Sequence, residues 1–269
     1  MQSSHETTGS LRLSHAGSPQ SDGQVFLSGN LTLGENEVHV WMSRLDLGRQ
    51  ATERLRRLLN DDEEARASRF RFERDRDAFA VSRGMLRRLL ERYIGERAER
   101  IRFEYGPHGK PVIAAERSGH GLRFNLSHSD GVAVFAFASS ADVGVDVERV
   151  RALADMEEMA RHFFSEREFS ALRRLPISAR EMAFFSCWTA KEAYIKGIGE
   201  GLSMPLDRFA VSLGPSEGAI RLRILAGDAA PTPWRLYRFE PCPGYIAAVA
   251  AEMRGFRLLR DWLPEKLIL

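Results

Sequence analysis

Cysteine and lysine are scarce in this 269-residue chain, and long apolar runs are missing. Two cysteines, Cys187 and Cys242, cannot staple a chain of this length and stand in no metal or redox spacing, so they read as reduced, buried thiols. The longest apolar run, Val132 to Ala138, is far short of the roughly 18 to 20 residues a spanning helix needs. With 43% hydrophobic and 28% charged residues, the composition also argues against disorder and coiled coil. At about 150 residues per domain, the length fits one large domain or two half-sized ones.

Residues 1–35 are polar and Ser/Gly-rich with no apolar signal-peptide core, which predicts a flexible leader and a cytoplasmic protein. The formal net charge of +2 names no anionic partner, but the charge is unevenly spread. Between Arg49 and Arg102 stand sixteen arginines and no lysine against eleven acidic residues. That stretch is either a basic face or a set of solvated helices laced with Arg–Glu pairs. It lacks interleaved aromatics or a nucleic-acid module, so no nucleic-acid partner is expected.

Hydrophobic periodicity predicts a strand at Val38–Leu45 and helices at 52–59, from a cap at Asp61 or Asp62 through Phe72, and at 77–93. Strands follow at 101–105 and at Val112, with the turn Gly106-Pro-His-Gly-Lys-Pro111 between them. Three more are expected at 123–126, 132–138 and 143–147, the middle one apolar on both faces and therefore central in a sheet. Helices return at 156–164, behind a Ser165/Glu168 capping box, and at 181–196. Extended segments near 209–213, 219–225, 234–239 and 245–251 complete the pattern. Strands and helices alternate without βαβ regularity, so the fold class is α+β. The two halves rhyme, each with a phenylalanine pair (Phe70 and Phe72, Phe163 and Phe164), then a long amphipathic helix, then strands. Two similar packed halves, 36–142 and 143–269, are the expected architecture, with a hinge near Asp142.

In Val143-Gly-Val-Asp-Val-Glu148, strand alternation buries the valines and puts Asp146 and Glu148 on the other face, with Cα atoms about 6.6 Å apart. Two carboxylates so placed either share one hard cation or line an exposed edge with Arg149 and Arg151 as ion-pair partners. On the long helix, Phe185, Trp188, Glu192 and Ile195 share one stripe, which places Glu192 toward the core. A buried carboxylate must be paired, protonated or bound to a cation. An exposed i, i+4 pair with Lys196 is the alternative, worth only about 0.3 to 0.5 kcal/mol. Of 39 basic residues only four are lysine, and Lys110, Lys191 and Lys196 fall in this turn and helix, where a compact three-donor charge serves.

Two suggestive patterns fail on context. Ser127 and His128 are strand neighbours that point apart, so with Asp130 they make no triad. Gly197-Ile-Gly-Glu-Gly201 follows a helix, which excludes a dinucleotide fingerprint, and there is no Walker loop.

Gly109-Lys-Pro111, Phe124-Asn-Leu-Ser-His-Ser129, Val143–Glu148, Phe163-Phe-Ser165 and Trp188-Thr-Ala-Lys-Glu-Ala-Tyr-Ile-Lys196 stand in a telling order. Together with Gly199–Leu206, the chain resembles the 4′-phosphopantetheinyl transferases of the larger, surfactin-synthetase-activating type, from about Val38 to its C-terminus. The resemblance implies two α+β halves related by a pseudo-twofold. It implies transfer of the phosphopantetheine arm of coenzyme A to a serine of an acyl or peptidyl carrier protein, with release of adenosine 3′,5′-bisphosphate. It places magnesium on Asp146, Glu148 and Glu192, and coenzyme A phosphates on Lys110, Ser127 and His128, with Arg66 and Arg83 as looser basic matches. Glu192 becomes the candidate general base and Lys196 the group that protonates or stabilises the departing phosphate. The polar leader and the arginine habit of the first half depart from the pattern. A monomer suffices for two fused halves. The competing classes are a magnesium-dependent diphosphate hydrolase and a non-enzymatic coenzyme A or nucleic-acid binding module.

Overall fold

The computed structural model describes residues 30–114, 121–214, 217–225 and 233–264, and the leader expected over 1–35 lies mostly outside them. The first half carries strand β1 (Glu37–Arg44), helices α1 (Arg49–Arg56), α2 (Asp61–Ser68) and α3 (Glu73–Ile94), and strands β2 (Phe103–Tyr105), β3 (Pro111–Ile113), β4 (Leu122–Ser129) and β5 (Val132–Ser139). The second begins with β6 (Val143–Arg149), α4 (Met156–Phe163), α5 (Glu166–Arg174) and α6 (Ile177–Ile198). It ends with β7 (Phe209–Val211), β8 (Gly218–Ile220), β9 (Leu222–Ile224), β10 (Trp234–Phe239), β11 (Tyr245–Glu252) and β12 (Arg257–Trp262). The class is α+β, as expected, and among the described residues no helix is long and apolar enough to cross a membrane.

Two four-stranded sheets, ordered β12-β1-β5-β4 and β6-β11-β10-β8, lie back to back. Val38, Val40, Val134 and Ala136 of the first meet Val143, Val145, Val147 and Val249 of the second in one core between them. Helix α3 covers the outer face of the first sheet through Met85, Leu86 and Leu89 against Phe135 and Phe137. Helix α6 covers the outer face of the second, through Phe185, Ala193 and Ile195 with Ile246, Ala248 and Ala250. The order is helix, sheet, sheet, helix. As its apolar faces predict, β5 is internal, between β1 and β4.

Local chemistry accounts for the main departures from the expected elements. Asn60, not Asp61 or Asp62, caps α2, accepting from the Glu63 N–H while Glu63 returns a bond to the Asn60 N–H. The two aspartates sit in the first turn, where they complement the helix dipole, and the helix stops at Ser68 rather than Phe72. Helices α3 and α6 start about one turn early because they open behind extended Phe72 and Pro176, and both end on a left-handed glycine, Gly95 and Gly199. The stretch 219–225 breaks at Arg221 into β8 and β9, which join different sheets. Strand β12 has no counterpart among the expected elements. It runs back to pair parallel with β1, so the segment after Asp142 is not confined to the second sheet. Cys187 is buried and Cys242 half-buried, both free thiols.

Each half repeats one buried ion pair. Glu63, the third residue of α2, meets Arg87 of α3 at 2.7 Å, and both are at most 1% exposed. Glu168, the third residue of α5 and the partner of Ser165 in the expected capping box, meets Lys191 of α6 at 2.8 Å. Lys191 also donates to the Leu206 and Phe209 carbonyls, so this lysine serves the core and not a ligand.

Candidate active site

Helix α6 approaches β6 more closely than side chains would allow. A Cβ on Gly144 would lie 2.1 Å from the Ala193 carbonyl oxygen and 2.3 Å from the Gly197 nitrogen, and one on Gly197 would strike the Trp234 ring at 2.5 Å. Glycines at these two positions let helix and strand touch backbone to backbone. The valines of β6 face the inter-sheet core, so Gly144, Asp146 and Glu148 face the other way, toward the helix. The carboxylate face is therefore not an open edge, and Asp146 is only 3% exposed.

On α6, Glu192 does not belong to the stripe of Phe185 and Ile195. The helix is buried almost all round, and its less buried residues include Trp188, Glu192 and Lys196, one turn apart on one line. That line faces the carboxylates of β6. Lys196 Nζ donates to Asp146 Oδ1 at 2.6 Å and to Ser127 Oγ at 3.1 Å, and Ser127 Oγ itself donates to the same Asp146 oxygen at 2.8 Å. The other oxygen, Asp146 Oδ2, is buried without a partner.

Glu148 and Glu192 complete an acidic cluster facing one ammonium. Burial, then the charges of Asp146 and Glu148, raise the Glu192 carboxyl from 4.5 to about 7 against the pull of Lys196. Burial and Asp146 likewise raise Glu148, which accepts a 2.8 Å hydrogen bond from Ser129 Oγ. Burial works against the Lys196 ammonium, but Asp146, Glu192 and Glu148 outweigh it and hold it above the ordinary lysine value. Among the described residues, no group of three or more acidic, histidine or cysteine side chains is arranged as it stands to hold a metal ion. The all-oxygen donor set and the orphaned Asp146 Oδ2 nevertheless suit a hard divalent cation.

The remaining candidates divide. Ser127 is buried at the centre of the cluster, and exposed His128 lies within electrostatic reach of Lys196, Asp146 and Asp75 near the start of α3. Lys110 is half-buried against β6 and α6. Its Nζ donates to the Gly197 carbonyl at 2.7 Å and the Val143 carbonyl at 3.2 Å, and burial lowers its basicity. Arg83 is 5% exposed, sits 3.4 Å from Glu63 and over the Phe103 ring, and keeps one buried guanidinium nitrogen without a partner. Arg66 is exposed over the Phe79 ring.

Asn125 and Ser129 were not singled out from the sequence. Asn125 Oδ1 accepts from the Val145 N–H at 2.9 Å. Their positions two before and two after Ser127 on β4 were the signal available, because alternate strand residues share a face.

A profile of the 4′-phosphopantetheinyl transferase superfamily matches residues 142–250, and one for the N-terminal part of these transferases matches residues 48–140. The 4′-phosphopantetheinyl transferase HetI of Nostoc sp. is 38% identical over 236 residues, 88% of this chain and 94% of that protein. The chain belongs to the 4′-phosphopantetheinyl transferase superfamily. Its likeness to the transferase Sfp of Bacillus subtilis is more distant, 29% identity over 81% of this chain and 92% of that one. The human L-aminoadipate-semialdehyde dehydrogenase-phosphopantetheinyl transferase is 28% identical over 59% of this chain and 54% of its own length. The boundary between the two profiles falls beside Asp142, where β5 leads into β6.

Proposed function

We propose that this transferase moves the 4′-phosphopantetheine arm of coenzyme A to a serine hydroxyl of an apo acyl or peptidyl carrier protein, with magnesium, and releases adenosine 3′,5′-bisphosphate. The observation that carries this is the meeting of Asp146, Ser127 and Lys196 around one carboxylate oxygen, with Glu148 and Glu192 in mutual electrostatic reach. Asp146, Glu148 and Glu192 would hold the magnesium ion, which supplies neutralisation of diphosphate charge and orientation of the reacting bond. Lys196 reaches the same place from the helix and stabilises the charge that develops on the departing phosphate. His128 and Ser127 add donors on the strand side. The exposed guanidinium of Arg66, and Arg83 with its buried nitrogen that has no partner, are the basic groups assigned to a further phosphate.

The attacking serine must lose its proton. Glu192, beside the ion and the reacting centre, accepts it directly or through a water. Lys110 ties the backbones of β6 and α6 with two of its three donors and turns the third to a coenzyme A phosphate in this scheme. We place the protein in the cytoplasm as a monomer acting on coenzyme A and carrier domains.

The test is incubation with coenzyme A, magnesium and a panel of apo carrier proteins, followed by intact mass. A pantetheine adduct on the carrier is the expected result. Hydrolysis of coenzyme A with no adduct on any carrier would favour the hydrolase class instead.

A further inference from the structure

Strands β4 and β6 face each other across the seam of the two halves but belong to different sheets. Side chains bridge them. Ser127 and Ser129 donate to the side chains of Asp146 and Glu148, each at 2.8 Å, and Ser129 Oγ also accepts from the Arg149 N–H at 3.3 Å. Asn125 accepts from the Val145 N–H, and it is 5% exposed. Serine hydroxyls rotate and carboxylates change rotamer, so those two links can follow one another through small displacements. The main-chain bond of Ser129 lies exposed at the last residue of β6, whereas the Asn125 link ends on buried main chain within the strand, between Gly144 and Asp146. A slip of one residue would turn Asp146 to the valine face, and a slip of two would set Gly144 or Glu148 opposite Ser127.

We infer that Asn125 is a positioning residue for the transfer reaction, holding β6 in register with β4 so that Asp146 meets Ser127 and Glu148 meets Ser129. The inference rests on the transferase reading above and extends it to a residue that touches none of the reacting groups. It also accounts for a buried amide at this position, since the edge N–H of Val145 would have no acceptor without it.

The experiment compares the full-length wild type with Asn125→Ala and Asn125→Asp, the second keeping an acceptor atom of the same reach. Two experiments are run: hydrogen exchange of the Val145 amide in protein free of metal and coenzyme A, and steady-state kinetics giving kcat and KM for coenzyme A in carrier modification. Asn125→Ala is expected to lose Val145 protection and to lower kcat by about tenfold or more, with KM changed by less than about threefold. Asn125→Asp is expected to keep Val145 protected and to recover most of kcat. An alanine variant with normal kcat, or with Val145 still protected, overturns the inference. So does a kcat loss that the aspartate variant fails to recover while protecting Val145. Should the alanine variant not fold, the aspartate variant decides alone by the same two readouts. A wild type that modifies no carrier sinks the transferase reading and takes the positioning role with it; an active wild type with an indifferent alanine variant sinks the inference alone.

Discussion

Gly144 and Gly197 bring β6 and α6 into backbone contact, and the acidic cluster exists because of that contact. Adding a methyl group at Gly144 would force the helix outward, since the Cβ has the Ala193 carbonyl 2.1 Å away. Gly144→Ala should destabilise the fold by about 1 to 3 kcal/mol or more and part Asp146 from Lys196. Urea unfolding and carrier modification per folded molecule check it. A variant of wild-type stability and turnover would show that the strand and helix have slack the close approach does not suggest.

Among the described residues, Lys196 is the one ammonium bonded to Asp146. Lys196→Met removes it and leaves the three carboxylates without their nearest countercharge, so turnover should fall by about a hundredfold or more. Binding of a divalent cation, read by calorimetry, should not weaken and should strengthen if the ammonium competes for Asp146. A loss of both activity and cation binding would instead assign Lys196 to holding the carboxylates in place.

The lysines show how far the sequence carried and where it stopped. Three of four were marked as unusual in a chain that writes most positive charge as arginine, and each is engaged inside the protein: Lys110 on backbone carbonyls, Lys191 on Glu168, Lys196 on Asp146. Spacing could single them out, but not say that Lys191 answers Arg87 in the other half, because that depends on which acid lies beneath. The carboxylate pair of β6 was legible because strand period two fixes its face. Glu192 was legible as a residue out of place, yet its stripe was misassigned, because a helix buried on nearly all sides carries no clear amphipathic signal. Strand β12 was not legible at all, being half-exposed and charged on an edge.

Lys191→Met tests the structural role directly. It leaves Glu168, 2% exposed, with its charge unpaired, and costs about 3 to 5 kcal/mol in unfolding free energy. Turnover per folded molecule at low temperature should stay near wild type, since Lys191 touches none of the cluster around Asp146. Retained stability with lost turnover would move Lys191 from the core into the site.

The exposed arginines of the first half, among them Arg54, Arg57, Arg69, Arg71 and Arg74, would offer a positive approach to a carrier protein whose surface is acidic. Arg87 is spent inside on Glu63 and two backbone carbonyls. If the exposed set steers the carrier, kcat/KM for the carrier falls by about tenfold between roughly 0.05 and 0.5 M salt, while kcat changes little. Salt-independent kcat/KM would assign these residues to solvation only.

Glu192 gives the metal-free protein a pH dependence of known sign. Its folded-state carboxyl sits at about 7 against an ordinary 4.5. The folded chain thus holds a proton that the unfolded chain has released. The stabilisation from this proton is complete below about 4.5 and is lost as the pH rises through about 7, an effect of at most about 3 kcal/mol, less to the extent that solvent screens the site. Metal-free protein should therefore melt lower at pH 7.5 than at pH 5.5, and Glu192→Gln, which cannot ionise, should flatten that slope. The same variant should nearly abolish carrier modification without unfolding. A divalent cation binds the ionised carboxylates, so it should raise the melting temperature more at pH 7.5 than at pH 5.5 in the wild type and lose most of that difference in the variant. Equal slopes in wild type and variant would take Glu192 out of the cluster, and normal turnover in the variant would remove its roles as base and ligand together.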